Sequence, residues 1–196
     1  MTSIRGYCGI ALFAAGIAGA CAGDLLRQPN EQTTAWVPFQ AEFRAVAGGV
    51  ASRGRFMRHR DGSTRREAFG RDGVPAFVTI VNVHTSEFHS FSAGSWTSQP
   101  LAASRREPPT GSAFPSATPQ ADRVAGYRVV RADTVLGSVM FRAPALNYFA
   151  LVEEHPDPPL RIEFLSVSED APAERLFEPP AGVTVARLPW SYDARR

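Results

Sequence analysis

The chain has 196 residues and a formal net charge of +2 at pH 7, with 21 basic residues against 19 acidic ones. This near balance excludes a general electrostatic attraction to nucleic acid, which needs a strongly basic surface. The length is that of one ordinary domain with room for a hydrophobic core. Both cysteines, Cys8 and Cys21, lie near the start of the chain, so no set of structural disulfides is expected.

The first twenty residues have the layout of a secretory signal. Arg5 is followed by an apolar run over residues 6–20 and by small residues before Cys21, and the run is too short for a membrane span. The letters AGAC ending at Cys21 resemble a bacterial lipobox, which implies cleavage before Cys21 and a diacylglycerol on its thiol. The same letters fit an ordinary signal-peptidase site with the cut at the same bond. That cut would leave a free thiol, which is unfavourable in an oxidising compartment.

The predicted organisation follows from this start. We expect a signal peptide over residues 1–20, a lipid anchor and tether over residues 21–38, and one domain over residues 39–190. Lipidation of Cys21 predicts an envelope protein held at a membrane, and Ala22 in place of aspartate favours the outer membrane with the domain facing the periplasm. Without lipidation we expect a secreted protein.

Strand signals begin at Phe39. Apolar and polar residues alternate over residues 39–45, which is the period of a half-buried strand. Gly48-Gly49 and Asp61-Gly62 mark hairpin turns. Residues 77–83 are rich in β-branched and aromatic residues and predict a central strand. Further extended runs predict strands over residues 50–60, 64–69, 88–91, 96–101, 126–130, 138–142, 146–153, 160–166 and 183–188.

Two other segments complete the pattern. Residues 102–123 contain four prolines among serine, threonine and alanine, and this composition predicts a long surface loop. Residues 173–177 are the best remaining helix candidate. The predicted fold class is mostly β (α+β), a single strongly curved antiparallel sheet with little helix.

The end of the chain resembles a known family. The closing phrase of the LolA/LolB-like superfamily of bacterial envelope proteins, Leu-Phe-x-x-Pro-x-Gly, falls here on Leu176, Phe177, Pro180 and Gly182. Gly126-Tyr127, at the opening of the second half, and the letters ALNYF at residues 145–149 are also similar to that group. The resemblance covers residues 39–188 and implies a half-open β-barrel, LolA-like, whose concave face holds acyl chains. It also implies lipid as a partner.

Phenylalanines are the candidate ligand contacts on that concave face. If the face is open, these side chains line an apolar pocket; if it is filled, they form an ordinary core. An empty concavity favours a protein that binds or carries an apolar ligand. A filled one favours a structural or interaction lipoprotein that presents an edge or loop to another envelope protein. The candidates are Phe43, Phe56, Phe77, Phe88 and Phe91.

Seven arginines lie between residues 53 and 71. A guanidinium donates two hydrogen bonds at once to phosphate oxygens, so four of them are candidates for contact with lipid head groups. The alternative is a solvated hairpin face with cross-strand Arg–Glu pairs. The four candidates are Arg53, Arg55, Arg65 and Arg66.

No pattern in the sequence predicts catalysis. The chain has no G-x-S-x-G elbow and no glycine-rich phosphate loop. His84 and His89 are five residues apart and would point to opposite faces of one strand, so they do not form a metal site. We therefore expect no enzymatic activity, no cofactor, no metal and no nucleic-acid partner.

Overall fold

The computed structural model of the protein describes residues 36–101, 119–134 and 137–188, without the side chains of residues 119–122. Within these ranges the chain forms twelve strands and two short 3₁₀ helices. The predicted signal peptide, Cys21 and most of the proline-rich stretch lie outside the described residues. None of the described segments forms a helix with the length and apolar character needed to cross a membrane.

All twelve strands belong to one sheet, and the 3₁₀ helices are Pro144–Leu146 and Glu174–Phe177. In chain order the strands are β1 (Phe39–Ala47), β2 (Val50–Arg58), β3 (Thr64–Phe69), β4 (Pro75–Asn82), β5 (Glu87–Ser92), β6 (Ser95–Pro100), β7 (Pro119–Val124), β8 (Tyr127–Asp133), β9 (Val139–Ala143), β10 (Phe149–Pro156), β11 (Pro159–Ser168) and β12 (Val185–Arg187).

The sheet consists of two meanders joined in the middle. The spatial order is β12-β6-β5-β4-β3-β2-β1-β11-β10-β9-β8-β7, so every neighbouring pair except two is also adjacent along the chain. The first exception is the central antiparallel pair β1–β11. The second is β12, which pairs in parallel with β6 at one edge. The predicted fold class, a mostly β chain in one open curved sheet, is confirmed.

Three details differ from the sequence predictions. Residues 119–124 form edge strand β7 instead of continuing the loop, because a proline at the first position of an edge strand costs no ladder hydrogen bond. The sheet is not wholly antiparallel, since the last strand runs parallel to β6. Trp36 and Val37, assigned to the tether, contact the sheet: the Val37 backbone N–H donates to Asn147 Oδ1 at 2.7 Å, and Arg58 stacks 5.1 Å from the Trp36 ring.

The curvature of the sheet is visible in the contacts of its phenylalanines. Strands β2 and β10 are separated by β1 and β11, so on a flat sheet they would lie about 14 Å apart. The ring centroids of Phe56 on β2 and Phe149 on β10 are nevertheless 4.7 Å apart. The sheet therefore curves toward the side that carries these rings, which we call the concave face.

The convex face has its own smaller core. The C-terminal segment, residues 171–188, returns across this face and buries Phe177 against Met57, Val78, Ile80 and Trp96. Two side chains of the sheet hold its backbone. Asn82 Nδ2 donates to the Phe177 carbonyl at 3.1 Å, and Arg65 Nη1 donates to the Leu176 carbonyl at 2.9 Å.

One glycine in mid-strand is required by this packing. A Cβ on Gly54 would lie 2.2 Å from Phe43 Cζ and 2.2 Å from the Glu67 carbonyl oxygen. Atoms cannot approach so closely without displacement of a strand or a ring. Gly54 therefore leaves the space into which the Phe43 ring projects from the neighbouring strand.

Candidate functional site

The concave face brings together two of the five ligand-contact candidates. Phe43 and Phe56 are 0% and 1% exposed. Phe43 contacts Phe164 with ring centroids 5.6 Å apart, and Phe149 contacts both Phe164 and Phe39, at 5.1 and 4.9 Å. Aromatic pairs in this distance range stabilise each other beyond their burial. The five rings form one continuous cluster, which we call the aromatic cluster.

The other three phenylalanine candidates do not join the aromatic cluster. Strand register places Phe77 and Phe88 on the concave face, beyond the cluster along β4 and β5. Phe77 is buried and Phe88 is half-buried. Phe91 lies on the convex face, where its ring centroid is 5.4 Å from that of Trp96. The five candidates therefore do not line one common surface.

The four arginine candidates are divided between the two faces. Arg53, Arg55 and Arg65 lie on the convex face and Arg66 on the concave face, because strand register alternates sides. Arg55 and Arg65 both bind the buried carboxylate of Glu67, at 2.8 and 2.7 Å. The Arg55–Glu67 contact joins β2 to β3 and is a cross-strand pair of the alternative interpretation, whereas Arg65 and Glu67 lie on the same strand. Two of the four guanidinium groups therefore already have an internal anion.

Arg66 is the one candidate that faces the aromatic cluster. It is buried, and its Cζ lies 4.6 Å from the centroid of the Phe43 ring. A guanidinium over an aromatic face is stabilised by the ring quadrupole, and more so when both groups are desolvated. The contact places one positive charge at the border between the aromatic cluster and Phe77, as strand register orders them.

A second buried arginine was not selected from the sequence. Arg58 donates from Nε to the Val37 carbonyl at 3.0 Å, and from Nη2 to the Leu146 carbonyl and Asn147 Oδ1 at 2.8 and 3.2 Å. Burial lowers the pKa of Arg58 to about 9, so the group remains charged at pH 7. Arg58 stands two residues after Phe56 on the same strand, and that spacing was the available signal that it faces the core.

This arrangement holds apolar rings and positive charges, without a nucleophile or a paired acid and base. Among the residues that the structure describes, no group of three or more His, Cys, Asp or Glu side chains is placed to hold a metal ion. Chemically, the face is suited to packing or to binding an apolar molecule with an acidic end. The role of the predicted contacts in ligand binding stays a prediction.

Comparison with known proteins gives a fold. No protein-family model matches the sequence, and no curated protein sequence matches it either. Similar solved structures include an uncharacterised conserved protein from Thermus thermophilus, at 10% identity and a TM-score of 0.54, covering 87% of this chain and 99% of that chain. This likeness shows a shared fold.

MucB and a LolA superfamily protein are also among the similar solved structures. MucB in the Pseudomonas aeruginosa MucA/MucB complex matches at 18% identity with a TM-score of 0.44, covering 86% of this chain and 64% of that chain, so this chain spans less than two thirds of MucB. A LolA superfamily protein from Nitrosomonas europaea matches at 11% identity with a TM-score of 0.36, covering 85% of this chain and 97% of that chain. The Nitrosomonas europaea protein belongs to the superfamily that the closing phrase of the sequence resembles.

Proposed function

We propose that this protein is a non-catalytic interaction protein of the cell envelope whose concave face is filled by its own side chains. The observation that supports this proposal is the aromatic cluster, in which Phe43 and Phe56 are completely buried. Ring contacts of 4.7 to 5.6 Å join these residues to Phe149 and Phe164. An acyl chain would need to separate these rings before it could enter between them.

The energetics favour a core over a binding pocket at this position. Burial of one phenylalanine side chain contributes about 1.5–3 kcal/mol, and each ring pair adds about 0.5–1.5 kcal/mol. A ligand that opened the aromatic cluster would need to replace most of this stabilisation before binding could become favourable. Binding to a partner through the outer surface of the domain has no such cost.

Replacement of Phe43 with alanine tests the filled-core proposal. A core phenylalanine loses about 3–5 kcal/mol on this change, so we expect a large fall in melting temperature and no change in co-purified lipid by native mass spectrometry. Phe88→Ala is the matched control, because Phe88 is half-buried on the same face outside the cluster. A modest fall in stability together with loss of bound lipid in Phe43→Ala would overturn the proposal.

One observation favours a second candidate function, the binding of an apolar ligand, including lipid. Phe77 and Phe88 extend the concave face beyond the aromatic cluster, and Arg66 lies between the two regions by strand register. An acyl chain along β4 and β5 with an acidic head near Arg66 would use both features. The same mass spectra test it: co-purified lipid that is lost in Phe88→Ala and retained in Phe43→Ala supports this function.

The envelope location rests on the start of the chain, outside the described residues. We propose that Cys21 carries acyl chains, because a lipobox-like stretch precedes it and no cysteine follows it. Two or three chains anchor a protein stably, whereas one is marginal. Cys21→Ala should yield uncut precursor or soluble protein in a fractionation experiment. A Cys21→Ala protein that is still processed and membrane-bound would contradict the lipid anchor.

A further inference from the structure

A cleft of about 350 Å³ opens on the convex face, away from the aromatic cluster. Its floor is formed by side chains of β4, β5 and β6, and one wall is formed by the C-terminal segment. This volume is within the range of small-molecule sites.

The ionisable groups of the cleft favour a cation. Glu87 on the floor and Glu178 on the wall contribute two carboxylates. Burial lowers the pKa of His89, against the opposing effect of both carboxylates, so this imidazole is neutral at pH 7. The remaining charge is Arg187, which projects from the rim with its side chain 85% exposed. An incoming anion would meet two negative charges and one exposed positive charge.

Arg187 of the chain itself already pairs with a carboxylate of the cleft. Its Nη2 lies 3.2 Å from Glu87 Oε1, an ion pair at the open side of the cleft. Exposed pairs of this kind contribute little to stability, so the contact costs little free energy to break. The chain thus places a guanidinium of its own on the carboxylate that an external cation would use.

The other walls and the buried imidazole complete the site. Pro179, Pro180, Val183 and Val185 give the cleft an apolar side, which suits an aliphatic stem. His89 is 6% exposed, and its Nδ1 has no hydrogen-bond partner within the part of the chain that the structure describes. The other ring nitrogen, Nε2, lies 3.4 Å from Glu87 Oε2, so the imidazole packs beside the carboxylate on the floor of the cleft.

We propose that this cleft binds an alkyl guanidinium or alkyl ammonium group, with the cation on Glu87 in place of Arg187 and the stem along Val183 and Val185. The inference goes beyond the proposed function, because the cleft lies on the opposite side of the sheet from the aromatic cluster. The same chemistry occurs in free alkyl amines and guanidines and in the arginine or lysine side chains of a polypeptide.

Isothermal titration calorimetry with n-butylguanidinium chloride tests this proposal, using the domain with Arg187 intact. We expect saturable binding, and no binding of pentanoate or 1-pentanol at the same concentrations. Glu87→Gln should weaken binding about tenfold or more, as expected for loss of a charge-assisted contact. Arg187→Ala should tighten binding about two- to fivefold, because it removes an internal competitor of the strength of an exposed ion pair.

Controls keep the test independent of folding. Glu163→Gln removes an exposed carboxylate on β11, five strands from β5, and should leave binding unchanged. Glu178→Gln provides a second variant if Glu87→Gln does not fold. The peptide acetyl-Gly-Arg-Gly-amide distinguishes the sources: tighter binding than n-butylguanidinium indicates a polypeptide, and equal or weaker binding a small molecule. The proposal is overturned by absence of saturable binding of either probe, or by weaker binding in Arg187→Ala.

Discussion

Phe177 provides the sharpest test of how the C-terminal segment contributes to stability. The side chain is 2% exposed and packs against Met57, Ile80 and Trp96. Phenylalanine-to-alanine changes in a core cost about 3–5 kcal/mol, and the cost rises with the volume that stays empty. The segment cannot easily collapse into the space, because its Leu176 and Phe177 carbonyls are held by Arg65 and Asn82.

We therefore expect Phe177→Ala to lower the free energy of unfolding by the upper half of that range, about 4–5 kcal/mol. For a domain of this size the melting temperature should fall by about 8–20 °C. Urea unfolding, followed by tryptophan fluorescence, measures both the midpoint and the slope. Trp96, one of three tryptophans in the chain, belongs to the same cluster as Phe177, so part of the change in emission reports detachment of the segment.

Leu188→Ala is the matched control, since Leu188 belongs to the same segment and is 46% exposed. It should change the free energy of unfolding by less than about 0.5 kcal/mol. A loss below about 1 kcal/mol for Phe177→Ala would refute the reasoning. It would mean that the segment contributes almost nothing to the stability of the sheet beneath it.

Three further changes test other parts of the fold by the same assay. Arg58→Met removes the donors to the Val37 and Leu146 carbonyls, and the free energy of unfolding should fall by about 2–4 kcal/mol. Arg53→Met, at an exposed position of the convex face, is the control and should lower it by less than about 0.5 kcal/mol. Gly54→Ala forces a Cβ against the Phe43 ring and the Glu67 carbonyl and should lower the free energy of unfolding by more than about 2 kcal/mol. Gly70→Ala is the control: the nearest atom to its added Cβ is the side-chain oxygen of Asp72, so the loss should be clearly smaller. Burial lowers the pKa of His89 from 6.5, so the unfolded chain binds a proton more readily than the folded one. The stability that neutral His89 supplies is therefore complete above pH 6.5 and is lost as the pH falls through the lowered pKa. Between neutral pH and about pH 5, His89→Gln should therefore lose less stability than the unaltered protein, and equal losses would exclude this role of the imidazole.

The strands were predictable from the sequence because their signals are local. Alternation in Phe39–Ala47 and the glycine turn after it depend on neighbouring residues only, and β3 has the predicted bounds. Burial of Phe177 was also predictable, because an apolar pair before a proline turn has no other place to pack. The pairing of β1 with β11 was not, since nothing near Phe39 specifies a partner more than a hundred residues later.

The candidate site was less predictable, for two different reasons. Phe88 and Phe91 are three residues apart on one strand, as Arg65 and Arg66 are one apart, and an odd spacing places side chains on opposite faces. The division of these candidates between the two faces of the sheet could therefore be predicted from their spacing. Whether the concave face is filled was not readable, because it depends on ring contacts such as Phe56–Phe149 between strands that meet only in the folded sheet.

The central pairing of β1 with β11 also determines when the sheet can be completed during synthesis of the chain. Strands β2 to β6 and β8 to β10 pair with neighbours along the chain, and such local hairpins form rapidly. During synthesis, β1 has one open edge until residues 159–168 emerge, and an unpaired strand edge is a template for wrong pairing with another chain. Between the synthesis of β1 and that of β11, this edge of β1 is therefore open to wrong pairing. A chain that ends before Ser168 leaves part of the edge of β1, at the centre of the sheet, without its partner strand.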